Sequence, residues 1–219
     1  MAARRLTAVP TYSADDPRNP AFAPVRDLPH LPRILLIGDS ISIGYTLTVR
    51  ERLAGTANVH RIPENGRDTA HGLENLTRWL GNTRWDLIHF NFGLHDIRRI
   101  KDDRMDVTGV RVRSVDEYSA NLRQLLDQLK KIGARLVFAT TTPVPEGADG
   151  RLPGDEMECN QRAVALMTEA GVGVTDLHGF IQPFLASVQL PANVHFTEEG
   201  SRLLGEEVFR SLGRALRLG

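Results

Sequence analysis

Four consecutive apolar residues, Ile34-Leu35-Leu36-Ile37, constrain this chain most. A run of that length without polar alternation reads as a strand covered on both faces, the situation of a parallel sheet between layers of helix. It breaks at Gly38-Asp39-Ser40 and resumes as Ile41, Ile43, Tyr45, Leu47 and Val49 ahead of Arg50-Glu51-Arg52. The strand therefore ends in a tight turn, with a helix starting within a residue or two of Ser40. A serine there either caps the helix or presents its hydroxyl at the carboxyl end of the sheet, where open α/β folds bind ligands. Unpaired amides at a positive helix end would favour negative charge beside it. No Gly-Lys-Ser/Thr follows, so a phosphate-binding loop does not fit.

Residues 1–31 hold five of the twelve prolines and no periodicity, and are expected as an extended arm ahead of a domain spanning 32–219. A second strand is expected at 58–62, then a turn at 64–69 and a helix with Leu73, Leu76, Trp79 and Leu80 on one face. A third strand over 86–92 ends in Gly93-Leu94-His95-Asp96. Residues 97–115 are charged and patternless. An amphipathic helix runs from Asp116 to Lys131, a fourth strand covers 135–140, and a Gly/Pro loop reaches about 154. A helix over 155–170, a fifth strand at 173–177, a short helix near 178–187 and a last helix from about Thr197 complete the chain. Five strands alternating with helices predict an α/β fold, a three-layer α/β/α sandwich around a five-stranded parallel sheet.

Lys plus Arg and Asp plus Glu balance at 27 each, so bulk charge does not point to nucleic acid or a membrane surface. No apolar run approaches the roughly 18 residues of a membrane span. The start, Met1 to Leu6, lacks the apolar centre of a signal peptide, leaving the choice open between the cytoplasm and secretion with a removed signal. The single cysteine, Cys159, excludes an internal disulfide and reads as a small buried residue. His60, His71, His89 and His178 are scattered without metal-ligand spacing, so neither a metal nor a cofactor is expected.

The strand-end loops of such a sheet meet along one edge, bringing Ser40, Gly66 and His95 together with His195, which precedes the last helix. A serine nucleophile needs a base in reach and donors for the oxyanion it creates. His195 suits the base. The backbone amides of Ser40 and Gly66 and the side chain of His95 suit the donors.

On these residues the chain resembles the SGNH/GDSL hydrolases. Gly38-Asp39-Ser40 with Ser42, Asn65-Gly66, Gly93-Leu94-His95-Asp96 and Val194-His195-Phe196-Thr197 match that family's blocks in order, across about 33–216. The resemblance implies a flavodoxin-like fold and a serine esterase acting on acyl esters, often acetyl groups on carbohydrates. The expected partner is thus a small-molecule or carbohydrate ester. Transfer of the acyl group to a sugar hydroxyl would use the same residues.

Two positions depart from the family. His95 stands where asparagine is usual; neutral imidazole still donates one hydrogen bond, but its protonation becomes relevant. The alternative for His95 is to hold its loop through a backbone carbonyl. The usual aspartate three residues before the histidine is Ala192, and Asn193 stands two before it. An amide can orient imidazole but cannot stabilise imidazolium by charge; in the serine-protease triad the comparable change costs about 10⁴ in turnover. Either a Ser–His pair works with Asn193 or a carbonyl as orienter, or Asp176 or Asp96 supplies the acid. Otherwise an acid has been replaced and the site binds esters with impaired chemistry. Asp39 and Asp96 read as supports of their turns. The basic residues of 97–115 read as a solvated face, with a substrate wall as the alternative.

Overall fold

A computed structural model describes residues 16–217. The expectation of an extended arm therefore falls partly outside the described residues, at 1–15. Its remainder includes a 3₁₀ turn, Pro20–Phe22, with Ala21 buried. Farther along, the Asn58 side chain bonds both the amide and the carbonyl of Leu28.

The five parallel strands are β1 (Arg33–Ile37), β2 (Asn58–Arg61), β3 (Leu87–Phe90), β7 (Arg135–Ala139) and β8 (Gly173–Thr175). Their spatial order is β2-β1-β3-β7-β8. The chain thus runs outward from β1 to one side, then crosses back to continue on the other. That reversal between β1 and β3 is the crevice where doubly wound sheets bind ligands. The loops leaving these two strands carry Ser40 and His95.

The helices are α1 (Ser40–Arg52), α2 (Thr69–Leu80), α3 (Val115–Lys130), α4 (Asp155–Glu169), α5 (Leu177–Ile181), α6 (Leu185–Val188) and α7 (Glu198–Leu216). The single short helix expected near 178–187 is broken into α5 and α6 by a 3₁₀ turn at Gln182–Phe184, where Pro183 removes an amide donor. In α1 the alternating sequence would suit a strand, yet Ile41, Tyr45 and Val49 are buried while Leu47 is 45% exposed. At helical pitch, alternate positions are spread round the axis rather than kept on one side.

α1 and α7 lie alongside each other in parallel. A Cβ on Gly44 would sit 3.1 Å from Ser201 Oγ, and one on Gly205 would sit 2.6 Å from Thr48 Cβ. The contacts advance by four residues on each helix, 44 with 201 and 48 with 205. Continued by one turn, the same step leads to residues 40 and 197. This seam brings the first turn of the sheet to the entry of the last helix.

Residues 97–115 are not patternless. They form a small antiparallel sheet of β4 (Arg99–Lys101), β5 (Arg104–Met105) and β6 (Val110–Arg111). Strands of two or three half-exposed residues leave no alternation to read. They are held from outside instead: Arg99 and Arg111 both grip Asp155 at the start of α4, and Arg111 also reaches Glu158. No helix among the described residues is long and apolar enough to cross a membrane.

Candidate active site

Asp39 caps α1. Its Oδ1 accepts from the amide of Ile41 at 3.0 Å, and its backbone carbonyl accepts from Ile43 N–H and Ser42 Oγ. The other carboxylate oxygen is buried without a hydrogen-bond partner among the described residues, and burial raises the pKa against the pull of Arg151 and Arg61. With Asp39 as the cap, Ser40 is the first residue of the helix and its N–H has no protein acceptor among the described residues. The Ser40 side chain is left for other work.

Arg61 holds this turn from behind. Charged yet buried at the end of β2, it donates to Gly38 O, Glu64 O, Ser42 Oγ and Thr46 Oγ1 at 3.1–3.3 Å. Its guanidinium also lies 5.1 Å from the Phe22 ring centre. Burial lowers its pKa to about 10. Sequence reading passed it over, since Arg61 follows Asn58 and His60 in a strand already rich in polar residues and nothing marks it as buried.

Gly66 is corrected in its expected role. Its N–H donates to the Gly38 carbonyl at 3.0 Å instead of facing the space beside Ser40. A Cβ there would fall 2.9 Å from that same carbonyl oxygen. The residue is glycine because the loop after β2 touches the backbone of the Ser40 turn.

His95 follows β3. Its loop is set by Gly93, whose φ of 151° suits glycine and whose missing Cβ leaves room for Thr141. Arg151, from the loop after β7, also fastens this segment through Nε to Leu94 O at 2.6 Å. The His95 ring forms no hydrogen bond among the described residues, which sets aside a loop-holding role. Burial first, then Arg151 and Arg98, lower its pKa to about 3, so the imidazole is neutral at ordinary pH. The concern about its protonation does not arise.

Asp96 accepts from Thr69 N–H and Oγ–H at 3.0 and 2.5 Å, joining the third block to the start of α2, and burial raises its pKa to about 7. Asp176 caps α5 through the amide of Gly179 and accepts from Thr140. With their carboxylates committed to these donors, neither bonds the imidazole of His195, which removes both as its acid.

His195 sits on a clip in which Leu190 N–H bonds His195 O and Thr197 N–H bonds Val188 O. Val194 and Phe196 are buried, so the imidazole between them points to the opposite side. Nε2 lies 2.8 Å from Ser40 Oγ, and Nδ1 lies 2.7 Å from Asn193 Oδ1. That same Oδ1 accepts from the backbone N–H of His195 at 3.0 Å. A backbone N–H can only donate, so the amide must present oxygen here. Nδ1 then carries the ring proton and Nε2 is bare to accept from the serine. Ala192 takes no part; its φ of 51° turns the chain so that Asn193 faces the ring.

Two hollows are lined by residues of these segments. One, of about 160 Å³, is lined by Ser40, Ile41, Ile43, His195 and Phe196 among others. The second, of about 400 Å³, has His95 in its wall. A hydroxyl bonded to a bare imidazole nitrogen, at an uncommitted helix-start amide, can attack a carbonyl and meet the resulting negative charge with that N–H.

Residues 36–203 match the GDSL-like lipase/acylhydrolase family. No curated protein sequence matches the chain. Among solved structures, an acetyl xylan esterase, AlAXEase, superposes with a TM-score of 0.68 at 13% identity, covering 82% of this chain and 99% of its own. The acetylxylan esterase Axe2 of Geobacillus stearothermophilus gives 0.68 at 17% identity, covering 83% and 94%. A lipase/acylhydrolase from Enterococcus faecalis gives 0.65 at 21% identity, covering 84% and 97%.

Proposed function

This chain belongs to the GDSL-like lipase/acylhydrolase family, and we propose that, as a carboxylic ester hydrolase, it works through an acyl-enzyme on Ser40. The observation that carries this reading is the relay Ser40 Oγ–His195 Nε2–Nδ1–Asn193 Oδ1 at 2.8 and 2.7 Å. Ser40 attacks the ester carbonyl as its proton passes to Nε2. The tetrahedral oxyanion forms against the Ser40 N–H and the His95 side chain, two donors in place of three. The imidazolium gives its proton to the departing alcohol, and water repeats the cycle on the acyl-enzyme.

The amide of Asn193 fixes the tautomer and ring orientation but adds no charge to the imidazolium. Turnover is therefore slower than with a carboxylate there, without being lost. The small hollow beside Ser40 favours a short acyl group such as acetyl, and the acetylxylan esterases among the fold's relatives make a carbohydrate ester the leading substrate. The test is hydrolysis of p-nitrophenyl acetate by the wild type and Ser40→Ala. Loss of turnover in the variant is expected, and equal rates would overturn the reading.

A further inference from the structure

The basic residues of the 97–115 segment fall into three groups. Arg99 and Arg111 are neutralised by Asp155 and Glu158, and Lys101 and Arg104 are exposed. Arg98 and Arg113 line the 400 Å³ hollow, joined there by Arg67 from the turn after Gly66. Apart from Ala70, the lining is polar or charged throughout.

The charges in this hollow do not cancel. Arg113 is 3.5 Å from Asp68, whose carboxylate also caps α2 through the amides of Ala70 and His71. The Arg98 side chain has no hydrogen bond or ion pair among the described residues, and its Nε is buried without a partner; Arg67, also without one, is exposed at the edge of the hollow. Arg67 is moreover held at a φ of 52°, a conformation an L-residue seldom adopts, by its amide bonding Asn65 Oδ1 at 3.0 Å. Against these two cations stands Glu74, exposed at the rim. One positive charge is in excess, and the buried Nε–H groups of Arg98 and Arg113 are unmatched. Polar groups in that state are the ones a ligand completes.

We propose that this hollow is an anion subsite through which the enzyme selects esters carrying a carboxylate close to the scissile bond, with Arg98 and Arg67 as its ligands. The proposal rests on the ester-hydrolase reading, since it places the carboxylate on the far side of His95 while the ester lies over Ser40. A single excess charge fits a monoanion, and the planar fork of an arginine matches a carboxylate with two parallel bonds. A uronic acid or other hydroxy-acid ester has this chemistry. Charge-assisted bonds of this kind are worth about tenfold or more in specificity.

The experiment compares 4-acetoxybenzoate with 4-acetoxybenzamide, which share the acyl group and shape and differ in charge. The wild type is expected to favour the carboxylate by about tenfold or more in kcat/KM at low salt, with the preference shrinking as salt is added. Arg98→Gln and, separately, Arg67→Gln lower that ratio about tenfold, chiefly through KM; Lys101→Gln on the same segment does not. A ratio near one in the wild type, a ratio untouched by both arginine variants, or a stronger preference for 4-acetoxyphenyl phosphate overturns the proposal. Calorimetric binding of benzoate to Ser40→Ala, weakened by adding Arg98→Gln, reads the subsite without chemistry. Benzoate binding with neither ester turned over would break the catalytic reading alone, whereas turnover without charge preference would break this one alone.

Discussion

Replacing Asn193 by aspartate tests the relay most directly. In the serine-protease triad an asparagine in the orienting position is ruinous because it presents the wrong hydrogen-bonding partner to the ring. Here the His195 backbone N–H holds the amide oxygen toward Nδ1, so the tautomer is already correct. Asn193→Asp therefore adds only charge. With centres about 4 Å apart, a carboxylate–imidazolium pair gains about 1 kcal/mol in water and about 4 kcal/mol at an effective dielectric of 20. Residue 193 is exposed, which places the gain near the lower end, at about 1–2.5 kcal/mol. Because the imidazole is charged only after proton transfer, this appears as a roughly five- to seventyfold rise in kcat. The carboxylate also moves the acid limb of the pH–rate profile to higher pH, so the rates are compared on the alkaline plateau with p-nitrophenyl acetate. A gain above about 10³ would mean that the asparagine imposes the wrong tautomer. No gain together with an unmoved profile would mean that residue 193 does not face the ring.

Other substitutions probe the surroundings. His95→Ala should lower kcat by about 10²–10³, as loss of one oxyanion donor does, whereas His95→Asn should retain most activity; equal losses would remove the donor role. Gly66→Ala forces its methyl against Gly38 O and should reduce kcat at least about tenfold by moving the Ser40 turn, read by steady-state kinetics. Arg61→Met leaves Gly38 O and Glu64 O without this donor and should cost about 2–4 kcal/mol in urea unfolding. Two buried groups act oppositely on the pH dependence of stability. Asp96, with its pKa raised to about 7, holds a proton in the fold that the unfolded chain has lost, so its contribution falls as pH rises from about 4 to 7. His89, lowered to about 3 by burial, leaves the unfolded chain with the extra proton, so its contribution falls as pH drops from about 6.5 toward 3. Asp96→Asn should steepen the rise of Tm with pH between 4 and 7, and His89→Leu should remove part of that rise. Parallel Tm curves for wild type and variants would contradict both.

Much of this organisation is legible in the sequence because burial leaves a coarse trace. Ile34 to Ile37 announce a doubly covered strand, and polar residues at strand ends identify the edge where Ser40, His95 and His195 gather. Asn193 is visible only as an amide near a histidine; its role depends on the turn at Ala192, which no pattern reveals. The antiparallel strands at 99–111 escape because they are too short to show alternation and are tied down by Asp155, some fifty positions away. The Gly66 amide is misjudged for a related reason: a glycine can mark a donor or a close approach, and only the packing of its loop against Gly38 decides. Arg151 escapes too, since its anchor on Leu94 O is a tertiary bond made from a loop rich in glycine and proline.

The alignment of α1 with α7 has a mechanical consequence. The hydroxyl starts one rod and the imidazole sits on the clip that leads into its neighbour; the two rods interlock through small side chains, and their inner faces are packed into the core rather than hung on a hinged flap. Slippage at that joint by even one methyl group separates the reacting pair and opens the interior together. Catalytic power in this protein should therefore disappear within the same melting event as its helical circular dichroism, with no preceding stage in which an intact body has gone silent.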